Sequence, residues 1–402
     1  MGVKDAHAAQ IVAQRNKYCN YQRCEYSLYV DKVLYERTVL DSYGLNSIDV
    51  CVPMKGAGSA VIKFSIFNST SRQFGPIPKL VSTMFNLGSI VEVKMGYGNT
   101  AACETVFKGF VYMIGEEYDY MSSEESPSFV VTVMDARKLM MINGNKYQIL
   151  TGNGYTRIIK LILDKYRAVL DRIEVIPGVS NQAPMQLPQN TNDYDFIMNE
   201  IIGCGKLGSD FYVSCGNAYL KPRSIEPPIT DVVALTVNTR EGINELDYFR
   251  LDRSFVDTTL NVYGIDYDKD TVTTPAINKI LKTPSNPMAP GTVIKPLAIP
   301  KDVVVSDVMC NNYDDATFIA QNLADDVMYK TWHGVGKGHM IPSIAIGKYI
   351  AVDGTDALSM GNHYVTMVRH EIRKKKIISK GQDRGVSVVA TTYFETEGYM
   401  NK

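Results

Sequence analysis

The sequence has little net charge of either sign. Its 402 residues include 42 lysines and arginines against 43 aspartates and glutamates, which gives a formal net charge of -1. Proteins that bind nucleic acids usually carry a basic excess or a basic stripe, because contacts with phosphates supply much of their affinity. The balanced charge therefore argues against a sequence-specific nucleic-acid partner.

Long hydrophobic runs are also missing. A transmembrane helix needs about 18 or more consecutive apolar residues, and no stretch of the sequence approaches that length. The first seventeen residues lack the apolar core of a signal peptide. We therefore expect a chain that is made in a cytoplasm and has no stable membrane insertion. The hydrophobic content of 45% is enough for a sizeable core, and the length suggests about two or three domains.

Cysteine and histidine are too few and too scattered to indicate a metal site or a nucleophilic reaction. The seven cysteines form no CxxC pair, and there are five histidines. A structural zinc site needs four ligands in paired clusters, and no GxSxG turn or similar context accompanies a catalytic triad. We therefore expect free thiols, several of them buried, with no metal, no cofactor and no catalytic residue.

A glycine-rich stretch between two histidines, Trp332 to His339, resembles a phosphate-binding loop only superficially. It lacks the GxxxxGK[ST] spacing, and it follows a predicted helix instead of opening one. Metal binding through His333 and His339 would need two further ligands, which the sequence does not suggest. We interpret the stretch as a flexible loop.

Two clusters of charged residues, one acidic and one basic, are best interpreted as hairpin tips. A glycosidase needs paired carboxylates that flank a sugar in a cleft, but the acidic residues here surround Tyr-rich and Ser-rich turn residues, so we predict a solvated hairpin tip. The basic run from Arg373 to Lys376, with Lys380, also fits a hairpin tip; the alternative is a basic rim that faces an acidic partner or lines a channel. The acidic residues are Glu116, Glu117, Glu124 and Glu125.

Two regions of the chain alternate apolar and polar residues, which is typical of strands that bury one face. From residue 25 to about 147 we predict strands over 26–30, 48–52, 60–67, 90–98, 104–114 and 129–134, with one helix over 77–86. From about 232 onward we predict strands over 257–264, 344–352, 364–372 and 386–394. A helix capped by Asp315, near 315–329, interrupts the second region.

Helical periodicity replaces the alternation between the two β regions. Residues 155–169 fit an amphipathic helix. Farther along, we predict a helix capped by Asn192 or Asp193, stopped by glycines, and followed by a hairpin whose turn is Gly216–Asn217. This segment therefore predicts a small α+β insert between the two β regions.

The fold class that follows is a β-rich α+β fold in which two antiparallel β-barrels flank a small α+β insert. We place an N-terminal arm at 1–24, the first barrel at 25–147, the insert at 148–222 and the second barrel, with its inserted helix, at 223–402. The arm is either frayed or folds on a partner, and we favour the frayed terminus.

Taken together, these motifs resemble the phage late-control protein D family, the baseplate hub of contractile tails, and the hub portion of type VI secretion spike proteins. The resemblance covers about residues 25 to 395 and rests on four degenerate motifs in register rather than on any single one. The residues of this sequence that match the family's motifs, all as structural positions, are Gly96, Tyr97, Phe107, Gly109, Asp135, Leu139, Gln189, Asp193, Asp195, Phe196, Gly205, Tyr263, Gly264, Asp266, Tyr364, Val365 and His370.

The resemblance implies a structural hub rather than an enzyme. It implies a homotrimer of tail-tube-like barrels that joins the sixfold tail tube protein to a trimeric spike, with baseplate wedge or LysM-type adaptor proteins as further partners. Because the sequence ends at Lys402 after the second barrel, we expect the spike to be a separate protein.

Assembly in the bacterial host cytoplasm and incorporation into a virion tail baseplate or injection particle are further implications of the resemblance. Passage of a genome through the lumen is compatible with it. The alternatives are a tail-associated peptidoglycan hydrolase, if the glutamate pairs line a cleft, and a receptor-binding tail protein.

Overall fold

A computed structural model describes most of the chain. It covers residues 3–65, 67–68, 73–74, 77–118, 127–144, 149–150, 154–176, 185–186, 191–224, 227–237, 244–254, 258–263, 265–266, 271–272, 276–279, 301–306, 313–354, 361–379 and 382–400.

The first part of the chain is mostly β. Its helices are α1 (Val3–Lys17), α2 (Arg37–Ser42), α3 (Ile77–Met84) and α4 (Ala136–Ile142), with 3-10 turns at Cys19–Tyr21 and Thr100–Ala102. Its strands are β1 (Cys24–Val30), β2 (Val33–Glu36), β3 (Leu45–Pro53), β4 (Ser59–Ser65), β5 (Phe67–Asn68), β6 (Gln73–Phe74), β7 (Ile90–Tyr97), β8 (Glu104–Glu117) and β9 (Ser128–Met134).

The insert mixes short helices and short strands. Its elements are β10 (Ile149–Leu150), α5 (Tyr155–Asp164), β11 (Arg172–Val175), β12 (Met185–Gln186), α6 (Asp193–Asp195), which continues as a π-helix (Phe196–Ile202), β13 (Asp210–Ser214) and β14 (Asn217–Lys221).

The last part of the chain returns to β. A 3-10 turn (Ile229–Asp231) leads into β15 (Val232–Thr236), β16 (Leu246–Arg253), β17 (Thr258–Tyr263), β18 (Ile265–Asp266), β19 (Thr271–Val272), β20 (Ala276–Lys279) and β21 (Lys301–Ser306). The final elements are α7 (Tyr313–Tyr329), β22 (Trp332–His339), β23 (Tyr349–Asp353), β24 (Asn362–Ser379) and β25 (Gln382–Met400).

The first and last parts of the chain share one large sheet of 13 strands. Its main path runs β16-β22-β25-β24-β3-β4-β9-β8-β7-β1-β2, and β23 and β15 branch from β24. The two parts meet at the antiparallel pair of β3 and β24, from Met367 opposite Pro53 to Arg373 opposite Ser47. The predicted β-rich α+β class is thus confirmed, with a large antiparallel sheet. Along the strands that the structure describes, this path does not return on itself to close a barrel.

Alternation of side chains explains why these segments form half-buried strands. In β4, Ala60, Ile62 and Phe64 are fully buried, whereas the residues between them are partly exposed. Successive side chains of a strand point to opposite faces, so one face of β4 faces the core. The structure also has the predicted strands over 26–30, 48–52, 90–98, 104–114 and 129–134, as β1, β3, β7, β8 and β9, although β1 is buried on both faces.

A second apolar core lies within the insert and reaches the first β region. It joins α5, the π-helix and the β13–β14 hairpin to Met140 of α4 and Phe110 of β8. Asn192 caps α6, because its Oδ1 accepts the backbone N–H of Asp195 at 2.7 Å. The predicted cap and helix are confirmed, but the hairpin turn is Cys215–Gly216 rather than Gly216–Asn217, since Ser214 pairs with Asn217.

The interpretation of the N-terminal segment as frayed is wrong. Helix α1 packs on the chain's own β15, where the side chain of Gln10 donates to the carbonyl of Val232. Arg15 Nε lies 2.6 Å from Oε1 of Glu245, whose side chain is fully buried. A buried carboxylate is stable only when it is paired and hydrogen-bonded, so this contact holds the helix in place.

The interpretation of Trp332 to His339 as a flexible loop is also wrong. The segment is strand β22, which pairs with β16 on one side and β25 on the other. Its three glycines stand on the buried face, and the ring of Phe394 packs directly over Gly336. The glycines are needed because a side chain there would collide with residues on the neighbouring strands.

The predicted hairpin of the basic run exists, but its strands are longer than expected. Arg373, Lys374 and Lys375 lie within β24 and not at the tip, since the ladder continues to Ser379 opposite Gln382. Lys374 Nζ lies 2.7 Å from Oδ1 of Asp41. Lys380 lies outside the described residues.

The predicted helix near 315–329 is α7, and it begins at Tyr313, so Asp315 is within the helix and is not its cap. The helix packs over β17 and β20, with Ala316, Ile319 and Ala320 buried around Val262.

We predict that Phe196→Ala lowers the free energy of unfolding by about 3 kcal/mol or more, because it empties a fully buried aromatic site in the second core. Urea unfolding measures the change. Leu161→Ala, on the exposed face of α5, is the matched control and should change stability little. Equal midpoints for the two variants would contradict the placement of Phe196 in this core.

Candidate functional site

Four motif residues of the first β region lie in the antiparallel pair of β7 and β8. Val91 pairs with Gly109 and Val93 with Phe107. A side chain at Gly109 would collide with the carbonyl of Met134, which explains the glycine by close backbone approach. In the structure these positions are closely packed against neighbouring strands.

Gly96 and Tyr97 form the end of β7. A Cβ at Gly96 would lie 2.9 Å from Cα of Cys103, so a larger residue would push the strand away. The buried ring of Tyr97 meets that of Tyr21 edge to face at 5.8 Å, which ties the segment after α1 to the sheet.

Asp135 holds a buried charge cluster at the start of α4. Its carboxylate accepts the backbone N–H groups of Arg137 at 2.9 Å and Gly58 at 2.8 Å, and Arg137 Nη2 lies 2.6 Å from Oδ2. The Arg137 guanidinium also donates to the carbonyls of Pro53 and Met54. Asp135 thus joins α4 to the chain that leaves β3. Leu139 packs partly buried on the second core.

The motif residues of the insert surround the start and end of its central helix. Buried Asp193 accepts the hydroxyl of Tyr166 at 2.6 Å, and Asp195 accepts the Asn192 amide at 2.6 Å. Gly205 has a φ of +72°, and a Cβ there would lie 2.9 Å from the Ile319 carbonyl of α7. Glycine is therefore required both by the backbone conformation and by the neighbouring helix.

All but one of the remaining motif residues belong to the last β region. Tyr364 and Val365 are buried in β24, where Val365 exchanges backbone bonds of 2.8 and 3.0 Å with Lys348 and Gly347. Tyr263 ends β17, and Asp266 lies in β18. Gln189 and Gly264 lie outside the described residues.

His370 is a fully buried histidine in β24. Its Nε2 lies 3.2 Å from the carbonyl of Ile344, which can only accept, so Nε2 carries the proton. Nδ1 then accepts from Thr392 Oγ1 at 2.9 Å, which itself accepts the N–H of Ile341. Burial lowers the pKa of His370 to about 4, against smaller raising effects of the Ile344 carbonyl and Glu104.

Arg223, which follows β14, is the central residue of a junction that the sequence did not reveal. Its Nε lies 2.7 Å from Asp210 on β13, and its Nη2 lies 3.3 Å from Glu397 on β25. The guanidinium is 4.6 and 4.7 Å from the ring centroids of Tyr329 and Tyr364. The insert, α7 and the last β strands therefore all contact the side chain of Arg223, which is 7% exposed.

The charge on Arg223 is secured by its partners. Burial alone would lower the pKa of the guanidinium, but Asp210, Tyr364 and Glu397 raise it above its ordinary value. A lone arginine in a proline-containing loop has no periodic pattern, so no sequence signal singled it out.

The glutamate pair Glu116–Glu117 is exposed at the end of β8, and Glu117 lies 2.5 Å from Lys63 Nζ. Glu124 and Glu125 lie outside the described residues. Within the part of the chain that the structure describes, no group of three or more His, Cys, Asp or Glu side chains could hold a metal ion. Among the described helices, none has the length and apolarity needed to span a membrane. The six cysteines in the described residues are free thiols.

No family model and no curated protein matches the sequence. The proteins that it resembles are found among solved structures. A tail protein from Neisseria meningitidis has a TM-score of 0.58 at 11% identity, over 93% of this chain and 96% of that chain. The 43 kDa tail protein of prophage MuSo2 from Shewanella oneidensis also scores 0.58 at 11% identity, over 92% and 97%.

This chain has the fold of phage tail proteins. The tail-protein fold extends over both β regions and the insert, so the resemblance indicated by the sequence motifs is confirmed at the level of the fold. A component of the E. coli type VI secretion system, described as similar in structure to the T4 bacteriophage tail proteins gp27 and gp5, scores 0.50 at 12% identity, over 89% of this chain and 74% of that chain.

We predict that Arg223→Met lowers the free energy of unfolding by about 3–5 kcal/mol, because it leaves the carboxylates of Asp210 and Glu397 without their cation. Chemical denaturation checks the loss. Arg250→Met removes an exposed pair with Asp252 and should leave the midpoint unchanged. Equal effects of the two substitutions would show that the junction does not depend on Arg223.

We predict that stability falls as the pH drops from about 6.5 to 4. His370 has a lowered folded-state pKa, so its contribution is complete above 6.5, where the unfolded histidine is also neutral, and is lost as the pH approaches 4. The loss amounts to at most about 3 kcal/mol.

Urea unfolding at pH 7.5, 6, 5 and 4 measures the slope of the free energy of unfolding against pH. His370→Gln should flatten it, whereas His333→Gln, on the exposed side of β22, should retain it. An unchanged slope in His370→Gln would exclude His370 as the titrating group.

Proposed function

We propose that this chain is a structural baseplate hub of a contractile phage tail or a related injection particle. The observation that carries the proposal is the agreement in fold with tail proteins over more than nine-tenths of both chains. Among the motif residues whose side chains the structure describes, the side chains pack in the core, cap helices or form buried ion pairs. These roles fit a scaffold that is not an enzyme.

The domain organisation is part of the proposal. An arm at 1–24, a first tail-tube-like barrel at 25–147, an insert at 148–222 and a second barrel at 223–402 would give each subunit two related units. A homotrimer would then present six such units to the sixfold tail tube protein, because duplicated units let a threefold ring meet a sixfold ring through near-equivalent contacts.

The edges of the large sheet support assembly with other copies. Strand β2 ends one side of the sheet and β16 the other. On β2, Val33 and Leu34 are 55% and 40% exposed, and on β16 Tyr248 is exposed as well. Apolar edge strands invite pairing with another chain unless they are covered, and a ring of subunits would cover them.

The partners and place of action follow from the hub role. They are the tail tube protein, a separate trimeric spike and wedge or LysM-type adaptor proteins, with assembly in the bacterial host cytoplasm and final residence in the tail baseplate or particle. The hydrolase alternative draws no support from Glu117, which is exposed and paired with Lys63.

Sedimentation of the purified chain tests the proposal. We expect a homotrimer at micromolar concentration and a further increase in mass when spike protein is added. A clean monomer that gains no mass with spike protein would favour the receptor-binding alternative and contradict the hub.

Substitution on the sheet edge sharpens this test. Leu34→Lys should weaken trimer formation by about tenfold or more, because an edge charge opposes strand pairing. Leu87→Lys, at an exposed apolar residue between α3 and β7, is the matched control and should leave the trimer intact.

A further inference from the structure

The large sheet ends in two strands that have a partner strand on one side only. In the part of the chain that the structure describes, β2 is bonded only to β1, and β16 only to β22. Each of them presents a row of backbone N–H and C=O groups with no neighbouring strand, and such a row is a template for pairing with another chain. A contact between β2 of one copy and β16 of the next copy would cover both rows.

The buried faces of the two strands limit how they can meet. Tyr35 on β2 and Phe249 on β16 both pack against the core of the large sheet. Because successive side chains of a strand point to opposite faces, Val33 shares the face of Tyr35, and Leu251 shares the face of Phe249. A slip of one residue would turn every side chain to the other face. The apolar face of two joined copies is therefore continuous only when these four residues lie on the same side.

Apolar matching narrows the register further. In an antiparallel pairing with Tyr35 opposite Phe249, Val33 lies opposite Leu251. A shift of two residues in either direction keeps the faces but sets a charged residue of β16 opposite Val33 or Tyr35. This antiparallel register and one parallel arrangement, with Tyr35 opposite Leu251, are left.

The charged residues of the outer face decide between these two. In the antiparallel register Glu36 is diagonal to Arg250, and Lys32, in the turn before β2, comes next to Asp252. The parallel arrangement sets Glu36 opposite Asp252, and like charges directly opposite each other are destabilising. Lys32 and Glu36 are exposed and form no ion pair within the described part of the chain. Arg250 and Asp252 form an exposed pair with each other, which is weak and can rearrange toward a partner.

We propose that β2 of one copy pairs antiparallel with β16 of the next copy, with Tyr35 opposite Phe249 and Val33 opposite Leu251. The contact is head-to-tail, so each copy uses its β2 edge toward one neighbour and its β16 edge toward the other. Three such contacts close a ring in which both edges of every copy are paired. This inference rests on the proposed hub function, and it identifies the surface by which the subunits join.

Disulfide cross-linking of the full chain tests the register. The double variant Leu34→Cys/Arg250→Cys places two exposed thiols directly opposite each other in the proposed pairing. Their Cα atoms would lie about 4.5–5.5 Å apart, which a disulfide spans. In the matched control, Leu34→Cys/Ser254→Cys, the second thiol is also exposed but lies about 13 Å farther along the strand. With copper phenanthroline in air as oxidant, the first variant should form cross-links about tenfold or more faster than the control.

A denaturing gel without reductant reads the result, and the oxidised wild-type chain gives the background from its own free thiols. We expect a ladder that ends at the covalent trimer, because each chain carries one new thiol on each edge. A ladder that continues beyond the trimer would contradict the closed ring. Equal cross-linking of the two variants would overturn the pairing of β2 with β16.

Exchange of charges tests the same contact without cysteine. Glu36→Arg and Arg250→Glu should each weaken trimer formation by about fivefold, because each sets like charges across the contact. The double variant Glu36→Arg/Arg250→Glu should return to within about twofold of the wild-type chain. Lys63→Glu, which disturbs an exposed pair with Glu117, is the matched control and should leave trimer formation unchanged.

Sedimentation over a series of concentrations measures these effects, and thermal melts report whether each variant folds. If a cysteine variant does not fold, the charge variants decide the question. A trimer that forms no in-register cross-link, or a double charge variant as weak as the two single ones, would refute this contact and leave the hub function standing. A wild-type chain that stays monomeric would contradict the hub function itself, and the contact with it.

Discussion

The pairing of β3 with β24 is the contact on which the arrangement of the whole chain depends. It brings together residues about 320 positions apart, as in the two bonds between Arg369 and Asp49, and it turns two separate β regions into one sheet. The entropy of closing so long a loop is modest, since each doubling of length adds only about 0.6 kcal/mol. The effect on the folding rate is larger, because strand pairs between residues far apart in sequence form late and slowly. Both ends of the chain must therefore be present before the sheet is complete.

Buried charges fix how the insert sits against this sheet. Apolar packing alone is non-directional, and the second core would tolerate several orientations of α5 and the π-helix. Arg137 and Asp135 hold α4, whose Met140 packs in the same core as the insert, against the loop after β3. Arg223 ties β13 of the insert to β25. Such pairs add little net stability compared with apolar replacements, but losing one partner is costly. Their effect is to select one arrangement of the three parts.

Local patterns predicted the strands and helices well where burial follows a simple period, as in β4 and α5. They failed where the local structure depends on contacts with residues far away in the sequence. In β22 the glycines carry no strand signal, and only the ring of Phe394 on β25 explains them. Helix α1 has a weak apolar face, so its docking depends on Arg15 and distant Glu245. The β3–β24 register and the Arg223 junction link positions far apart in sequence, and a single sequence holds no local pattern for either.

If the chain is a hub, the sheet that the two β regions share would transmit force through the subunit. A hub that joins a tube to a spike has to pass force through each subunit without separating its parts. If the two β regions were independent domains on a flexible linker, a pull on one would first extend the linker. Here the first region and the last β region are joined by the backbone bonds between β3 and β24, from Ser47 to Pro53. The insert is joined to the first region by the Tyr194 hydroxyl, which accepts the Gly56 N–H, and to the last region by Arg223. Force applied along the strands would have to shear all the β3–β24 bonds together, so the subunit would move as one body.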